Sequence, residues 1–123
     1  MKLRIMGNTL RIRLSQIEVD KLGNEGLVQD VTRFPGNEKL TYDIRSSESE
    51  KMGCTFANSN ISIFIPPSRL NEWVSTDLVG FDEEIDLDKN EKLSILIEKD
   101  FKCLTKRPNE DDSDLYPNPL KSH

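Results

Sequence analysis

Two stretches of the chain set its fold: residues 9–22, TLRIRLSQIEVDKL, and residues 60–73, NISIFIPPSRLNEW. In each stretch, apolar residues first occupy every second position and then recur three or four residues apart. The first spacing predicts a half-buried strand, and the second predicts one face of a helix. At an offset of 51 residues, five apolar positions of the two stretches coincide. Both stretches therefore predict a strand that leads directly into a short helix.

The similarity extends outward from these stretches and indicates an internal repeat. The tetrapeptide NEKL at residues 37–40 recurs at residues 90–93, and apolar positions follow it in the same alternating order. Each half reads as strand, strand, helix, strand, strand. We interpret the chain as two ββαββ repeats, residues 1–50 and 52–103, that form a single domain over residues 1–103. The predicted fold class is α+β, a pseudo-twofold antiparallel β-barrel with two short helices.

Local signals place the element boundaries of the first repeat. Gly7-Asn8 reads as a two-residue turn of a hairpin. Ser15, followed three residues later by Glu18, has the spacing of a capping box at the start of a helix. Gly23 is predicted to end that helix. In the second repeat, the acidic residues 82–91 are predicted to form an exposed connection.

Composition restricts the class of protein and its location. The chain has 123 residues, of which 35% are hydrophobic and 32% charged, so it is polar but not fully disordered. It has no apolar run of the roughly 20 residues that a membrane helix needs, and no continuous apolar block at its start. We therefore expect a cytoplasmic protein that does not enter a membrane.

Charge is unevenly divided between the two halves. Residues 1–52 hold 9 basic and 8 acidic side chains, whereas residues 53–123 hold 8 basic and 14 acidic ones, for a net charge of −5. This balance argues against indiscriminate nucleic-acid binding, which depends on a positive field, but it allows a local basic surface. Residues 104–123 are predicted to be an acidic, proline-containing tail.

No catalytic or metal-binding pattern is present in the sequence. The single histidine is His123, and it has no metal-ligand spacing to Cys54 or Cys103. Cys54 falls on the apolar face of its predicted hairpin and is expected to be a buried structural thiol. Cys103 lies beside a lysine, without an evident general base, and is expected to be inert. The sequence predicts a protein that is not an enzyme and holds no metal or cofactor.

One hairpin carries an unusual concentration of positive charge. Residues that face each other across its turn have numbers that sum to 15, so Arg4 faces Arg11 and Lys2 faces Arg13. Like charges directly opposite each other are destabilising, by up to roughly 1 kcal/mol per pair. An anionic partner would offset this repulsion, and we interpret these four residues as a nucleic-acid-binding or anion-binding surface. The alternative is a solubilising strand face, compensated by Asp43 or by the acidic tail.

The second hairpin lacks this charge. Gly53, Thr55, Ser62 and Phe64 occupy the equivalent positions, so the basic surface occurs once. Phe64 is an apolar residue on an outward strand face, where it either contacts a partner or packs under the tail.

The motifs of the second half resemble a known domain. Ile-Phe-Ile-Pro at residues 63–66 leads into a helix with Leu70 and Trp73, and residues 76–79, Thr-Asp-Leu-Val, precede the last strand. This pattern resembles the swapped-hairpin domains of AbrB-type transition regulators and MazE-type antitoxins. The resemblance implies a barrel of two such units and DNA contacts from the basic hairpin at Arg4, Arg11 and Arg13. The whole chain also resembles an uncharacterised family of short bacterial proteins.

The resulting hypothesis is a small non-catalytic binding protein. Its most concrete form is an AbrB-like DNA-binding or regulatory protein that uses the basic hairpin. The alternative is a protein–protein interaction module without nucleic-acid binding. The expected partner is DNA or an acidic protein, and the sequence leaves the oligomeric state open.

Overall fold

In the described part of the chain, eight strands and two helices follow one another in the order that the repeat predicts. The computed structural model describes residues 1–101, so the predicted tail and Cys103 lie outside the described residues. The elements are β1 (Lys2–Met6), β2 (Thr9–Leu14), α1 (Gln16–Glu25), β3 (Leu27–Phe34), β4 (Glu38–Ser46), β5 (Gly53–Ala57), β6 (Asn60–Ile65), α2 (Pro67–Ser75), β7 (Gly80–Asp86), a short 3₁₀ turn (Asp88–Asn90) and β8 (Lys92–Lys99).

The strands form two four-stranded sheets, and each sheet combines one hairpin from each half of the chain. Sheet A has the order β1-β2-β8-β7, and sheet B has the order β3-β4-β6-β5. Within each hairpin the strands are antiparallel, but the hairpins join through parallel pairs, β2 with β8 and β4 with β6. Neither half of the chain therefore completes a sheet by itself.

The α+β class is confirmed, with two helices, but the predicted closed antiparallel barrel is not what the described residues form. Both sheets are mixed, because parallel pairs lie at their centres. Strands β1 and β7 remain edges of sheet A, and β3 and β5 remain edges of sheet B. Closing a barrel requires those edges to pair with each other, and alternation within strands carries no information about which edges meet.

The core lies between the inner faces of the sheets and the buried sides of both helices. Alternation explains its composition, because every second residue of the central strands points inward. Trp73 of α2 is fully buried, and its Nε1 donates a hydrogen bond to the Val79 carbonyl at 3.0 Å. Its ring packs edge-to-face on that of Phe81, with the ring centroids 5.6 Å apart. The other buried apolar residues are Leu10, Ile12, Leu14, Val19, Leu22, Val28, Ile44, Met52, Ile61, Ile63, Ile65, Leu70, Ile95 and Ile97.

Helix α1 begins as predicted but ends later. The Glu18 backbone N–H donates to Ser15 Oγ, and Glu18 Oε1 accepts from the Ser15 backbone N–H at 2.9 Å, which completes the capping box. The prediction that Gly23 ends the helix is wrong, because the left-handed cap is Gly26, with φ of 76°. Gly23 lies inside the helix where α1 meets α2, and a Cβ there would lie 2.8 Å from Val74 Cγ1. Its small size serves helix packing.

The acidic stretch of the second half is largely a strand, not the predicted connection. Strand β7 extends to Asp86, and only residues 87–91 turn back toward β8. Phe81, Glu83 and Ile85 are buried or half-buried on one face of β7, whereas Asp82, Glu84 and Asp86 are exposed on the other face. The many acidic residues of this stretch make the alternating pattern of a strand hard to recognise in the sequence. Neither helix in the described part of the chain is long or apolar enough to cross a lipid bilayer.

Candidate interaction surface

The hairpin of β1 and β2, here called the basic hairpin, has the predicted register. Arg4 pairs with Arg11 and Lys2 with Arg13, so the four side chains share the outer face of sheet A. The turn between the strands uses Gly7, whose φ of 53° is in the left-handed region that glycine tolerates best. The register follows from local pattern and turn chemistry, which is why the sequence predicts it.

Two carboxylates, Glu98 on the neighbouring strand β8 and Asp100 directly after it, compensate most of this positive charge. Arg11 Nε donates to Glu98 Oε1 at 2.6 Å, and Arg13 Nε lies 3.6 Å from the same oxygen. Lys2 Nζ lies 2.8 Å from Asp100 Oδ2. Parallel pairing of β2 with β8 brings Glu98 directly beside Arg13. The repulsion expected from the sequence is therefore offset inside the molecule.

Asp43 does not take part in this compensation, although the sequence suggested it as one possible source. It lies in sheet B and is buried there, with 2% of its surface exposed. Its carboxylate accepts from Arg45 Nε at 3.0 Å and from Ser62 Oγ at 3.1 Å, and Asn60 Nδ2 donates to Ser62 Oγ at 2.7 Å. Asp43 therefore anchors a polar network at the centre of the other sheet.

Arg4 is the exception within the basic hairpin. It is exposed on the edge strand and has no ion pair among residues 1–101. Arg4 begins a row of cross-strand neighbours on sheet A, which runs through Arg11 and Leu96 and ends at Asp82. Asp82 likewise has no ion pair among residues 1–101. Within residues 1–101, the row thus begins with an unpaired cation and ends with an unpaired carboxylate.

The outer face of sheet A, here called the split-charge surface, is basic on one side and acidic on the other. Asp82 shares its acidic edge with Glu84 and Asp86, whose carboxylates lie 3.5 and 3.9 Å from Lys92 Nζ. This acidic edge is not among the predicted features, because residues 82–91 were expected to form a connection. Alternation of Phe81 and Ile85 with acidic residues is the signal that would have found it.

Phe64 lies on a different surface from the basic hairpin. It pairs with Gly53, and Ser62 pairs with Thr55, as predicted for the second hairpin. Phe64 occupies the outer face of sheet B, where it is half-buried and the Arg45 guanidinium lies 6.0 Å from its ring centroid. The structure therefore does not bring Phe64 together with the four basic residues.

A second pair of like charges, not predicted from the sequence, lies on sheet B. Arg33 and Lys39 face each other across the hairpin of β3 and β4, close to the turn that joins the two strands. Their pairing could be read from the sequence in the same way as that of the basic hairpin, because partners in this hairpin have residue numbers that sum to 72. They line a shallow cavity of about 310 Å³ together with Gln29, Asp30 and Thr41.

A larger open groove of about 590 Å³ lies between α2 and the acidic edge strand β7. Arg69 crosses it, with Nη1 2.6 Å from Glu83 Oε2 and its guanidinium 5.4 Å from the Phe81 ring centroid. This ion pair and cation–π contact tie the helix to the sheet. The arginine therefore has structural contacts of its own.

The thiol of Cys54 has the predicted position on the inner face of its hairpin. It is half-buried, and burial raises the pKa of the thiol, which keeps it protonated near neutral pH. A protonated thiol is a poor nucleophile and a poor metal ligand. Within residues 1–101, no group of three or more histidine, cysteine or acidic side chains is arranged to hold a metal ion.

Comparison with known proteins gives a family but no activity. No curated protein matches the chain, and no solved structure matches it. A model described as a family of unknown function, DUF7009, matches residues 1–120, which is nearly the whole chain. The chain therefore belongs to the family of unknown function DUF7009.

Proposed function

We propose that this protein is a non-catalytic binding protein whose contact surface is the split-charge surface, and that its partner is a protein. The observation that carries the proposal is the row from Arg4 to Asp82, in which unpaired charges of opposite sign lie at opposite edges of one sheet, within the described residues 1–101. A surface with both signs is complementary to another protein surface that has the reverse arrangement.

Duplex DNA fits this surface less well. Its phosphates present one sign of charge along the whole contact, and affinity grows with the number of phosphates that cations neutralise. Here Glu98 and Asp100 already occupy three of the four cations of the basic hairpin. The carboxylates of β7 lie on the same face and would repel the phosphates.

DNA nevertheless remains a second candidate, because Arg4 and Arg11 form a like-charged pair on the outer face of the basic hairpin. The resemblance to swapped-hairpin DNA-binding domains favours these two residues and Arg13. Strand order supports one part of what that resemblance implies, the assembly of the fold from two similar units. If β1 to β4 are exchanged for β5 to β8, the order of sheet A becomes that of sheet B. We infer that the two halves arose by duplication and are related by a pseudo-twofold axis.

Affinity capture with matched variants tests the protein-partner proposal. Tagged wild-type chain, Arg4→Glu and Asp82→Lys are compared in extracts of the source cells. The controls Arg33→Glu and Asp77→Lys change the same charges at exposed positions elsewhere. We expect one protein partner to be retained by wild type and both controls and lost from both surface variants. Equal capture by all five proteins would contradict the proposal, and so would a chain that captures no protein and does not associate with itself.

A further inference from the structure

We infer that the split-charge surface is self-complementary and binds a second copy of this chain face to face, about a twofold axis parallel to β2 and β8. This inference rests on the proposed function and deepens it by naming the partner. The axis runs over the seam where β2 meets β8, at the middle of sheet A. Rotation about it lays the basic half of one copy over the acidic half of the other.

The row from Arg4 to Asp82 sets the geometry of this contact. Its four members are cross-strand neighbours, Arg4 with Arg11, Arg11 with Leu96, and Leu96 with Asp82. The two ends are three strand spacings apart, roughly 14 Å, so they do not pair within one molecule. The proposed rotation places Arg4 over Asp82 of the second copy, and places Asp82 over Arg4 of the second copy. Two equivalent ion pairs form, as a closed twofold contact requires.

The charge of this surface differs from that of the whole molecule. The outer face of sheet A, together with Asp100 directly after β8, holds five cations and five carboxylates. This surface is therefore neutral, although the chain carries a net charge of −5. The five cations are Lys2, Arg4, Arg11, Arg13 and Lys92, and the five carboxylates are Asp82, Glu84, Asp86, Glu98 and Asp100. Contact through this face therefore avoids the repulsion that two acidic surfaces would feel.

The centre of the contact also suits a twofold axis. Leu96 is the half-buried apolar residue of the row and lies next to Arg11, so the rotation sets the aliphatic stem of each arginine against the leucine of the second copy. The remainder of the contact is polar. We therefore expect a weak dimer whose association is sensitive to salt.

Sedimentation velocity across a range of protein concentrations tests the inference. At low salt, about 50 mM, we expect a monomer–dimer equilibrium that shifts toward monomer at about 500 mM salt. Arg4→Glu and Asp82→Lys should each weaken association by about tenfold or more, because each change sets like charges together twice. The controls Arg33→Glu and Asp77→Lys should leave it unchanged, and thermal unfolding checks that every variant folds.

An equimolar mixture of Arg4→Glu and Asp82→Lys chains provides the decisive measurement. In a mixed dimer, the substituted side chain at position 4 of one copy faces the substituted side chain at position 82 of the other, and the native Asp82 and Arg4 face each other at the second contact. Both contacts are attractive, so the mixture should dimerise as well as wild type although neither variant does alone.

Three results would overturn the inference. They are a monomer at every concentration in low salt, a dimer that both charge reversals leave intact, and a mixture that does not associate. If capture meanwhile yields a different protein that depends on Arg4 and Asp82, the proposed function stands and only the second copy is excluded. If neither capture nor self-association occurs, the proposed function fails as well.

Discussion

Glu18 shows how one side chain can serve a helix and the chain terminus together. Besides capping α1, its Oε2 lies 2.5 Å from the amino-terminal nitrogen of Met1. Burial of the carboxyl by itself raises its pKa, but hydrogen bonds from the terminal ammonium and Ser15 outweigh burial, so the pKa of Glu18 lies below its usual value of 4.5. The ionised form is therefore favoured in the folded protein.

This lowered pKa predicts a specific dependence of stability on pH. A carboxyl whose folded pKa is depressed stabilises the fold fully above its unfolded pKa and loses that contribution as pH falls through the folded pKa. Glu18→Gln should therefore lower the free energy of unfolding by about 1 kcal/mol at pH 7, and by progressively less as the pH falls below 4.5 and through the folded pKa. Urea unfolding at several pH values measures the difference, and Glu25→Gln at the other end of α1 is the control. A cost independent of pH would contradict the prediction.

Arg4 and Arg11 carry the prediction that separates DNA from a protein partner. If they contact phosphates, Arg4→Gln with Arg11→Gln should weaken duplex binding and flatten the log–log salt slope by about two units, because each phosphate contact contributes roughly 0.9. Titration of labelled duplex at several salt concentrations measures the slope. Arg33→Gln with Lys39→Gln on sheet B is the matched control. The DNA candidate fails if wild type does not bind at low salt, or if both double variants behave alike.

Among the elements, the contact between the two helices depends on one glycine. Gly23 lies inside α1, where alanine would ordinarily stabilise a helix by about 1 kcal/mol. The added Cβ would lie 2.8 Å from Cγ1 of Val74, a side chain whose branched Cβ leaves it little freedom to turn away. Crowding of this kind typically costs about 1–3 kcal/mol. The packing effect should therefore outweigh the gain in helix propensity.

A double-mutant cycle tests this balance. We expect Gly23→Ala to destabilise the wild-type protein but to be neutral or stabilising in a Val74→Ala background, which gives a coupling energy of about 1 kcal/mol or more. Chemical unfolding of the four proteins supplies the free energies. Additive effects of the two substitutions would show that the helices do not meet tightly at this position.

Across the molecule, the exchange of hairpins makes each half depend on the other. Strands β2 and β4 of the first half find their central neighbours, β8 and β6, only in the second half. The core likewise draws on both halves, from Leu14 and Ile44 to Ile65 and Ile97. Unfolding should therefore be a single cooperative transition.

A fragment that contains residues 1–50 tests this dependence. As a monomer it would leave two central strands unpaired and half of the core exposed, so we expect no cooperative thermal transition at micromolar concentration. Circular dichroism and sedimentation of the fragment, beside the intact chain, provide the measurement. A stable monomeric fragment with a sharp transition would indicate that the first half is a domain by itself.

Local patterns in the chain are enough to predict the hairpins, the capping box and the apolar positions of the core. These features depend on neighbours in the chain. Side chains alternate along a strand, a two-residue turn fixes which residues face each other, and Ser15 caps the helix that it precedes. For this reason the pairing of Arg4 with Arg11, and of Ser62 with Thr55, follows from the sequence alone.

How the hairpins meet depends instead on contacts between distant parts of the chain. Glu98 lies 87 residues from Arg11 and reaches it because β2 and β8 pair in parallel. No local pattern encodes that pairing, since many strands with one apolar face can pair equally well by alternation alone. The same pairing sets the acidic edge of β7 beside the basic hairpin. It thereby turns a positive patch predicted from the sequence into a surface with two opposite charges.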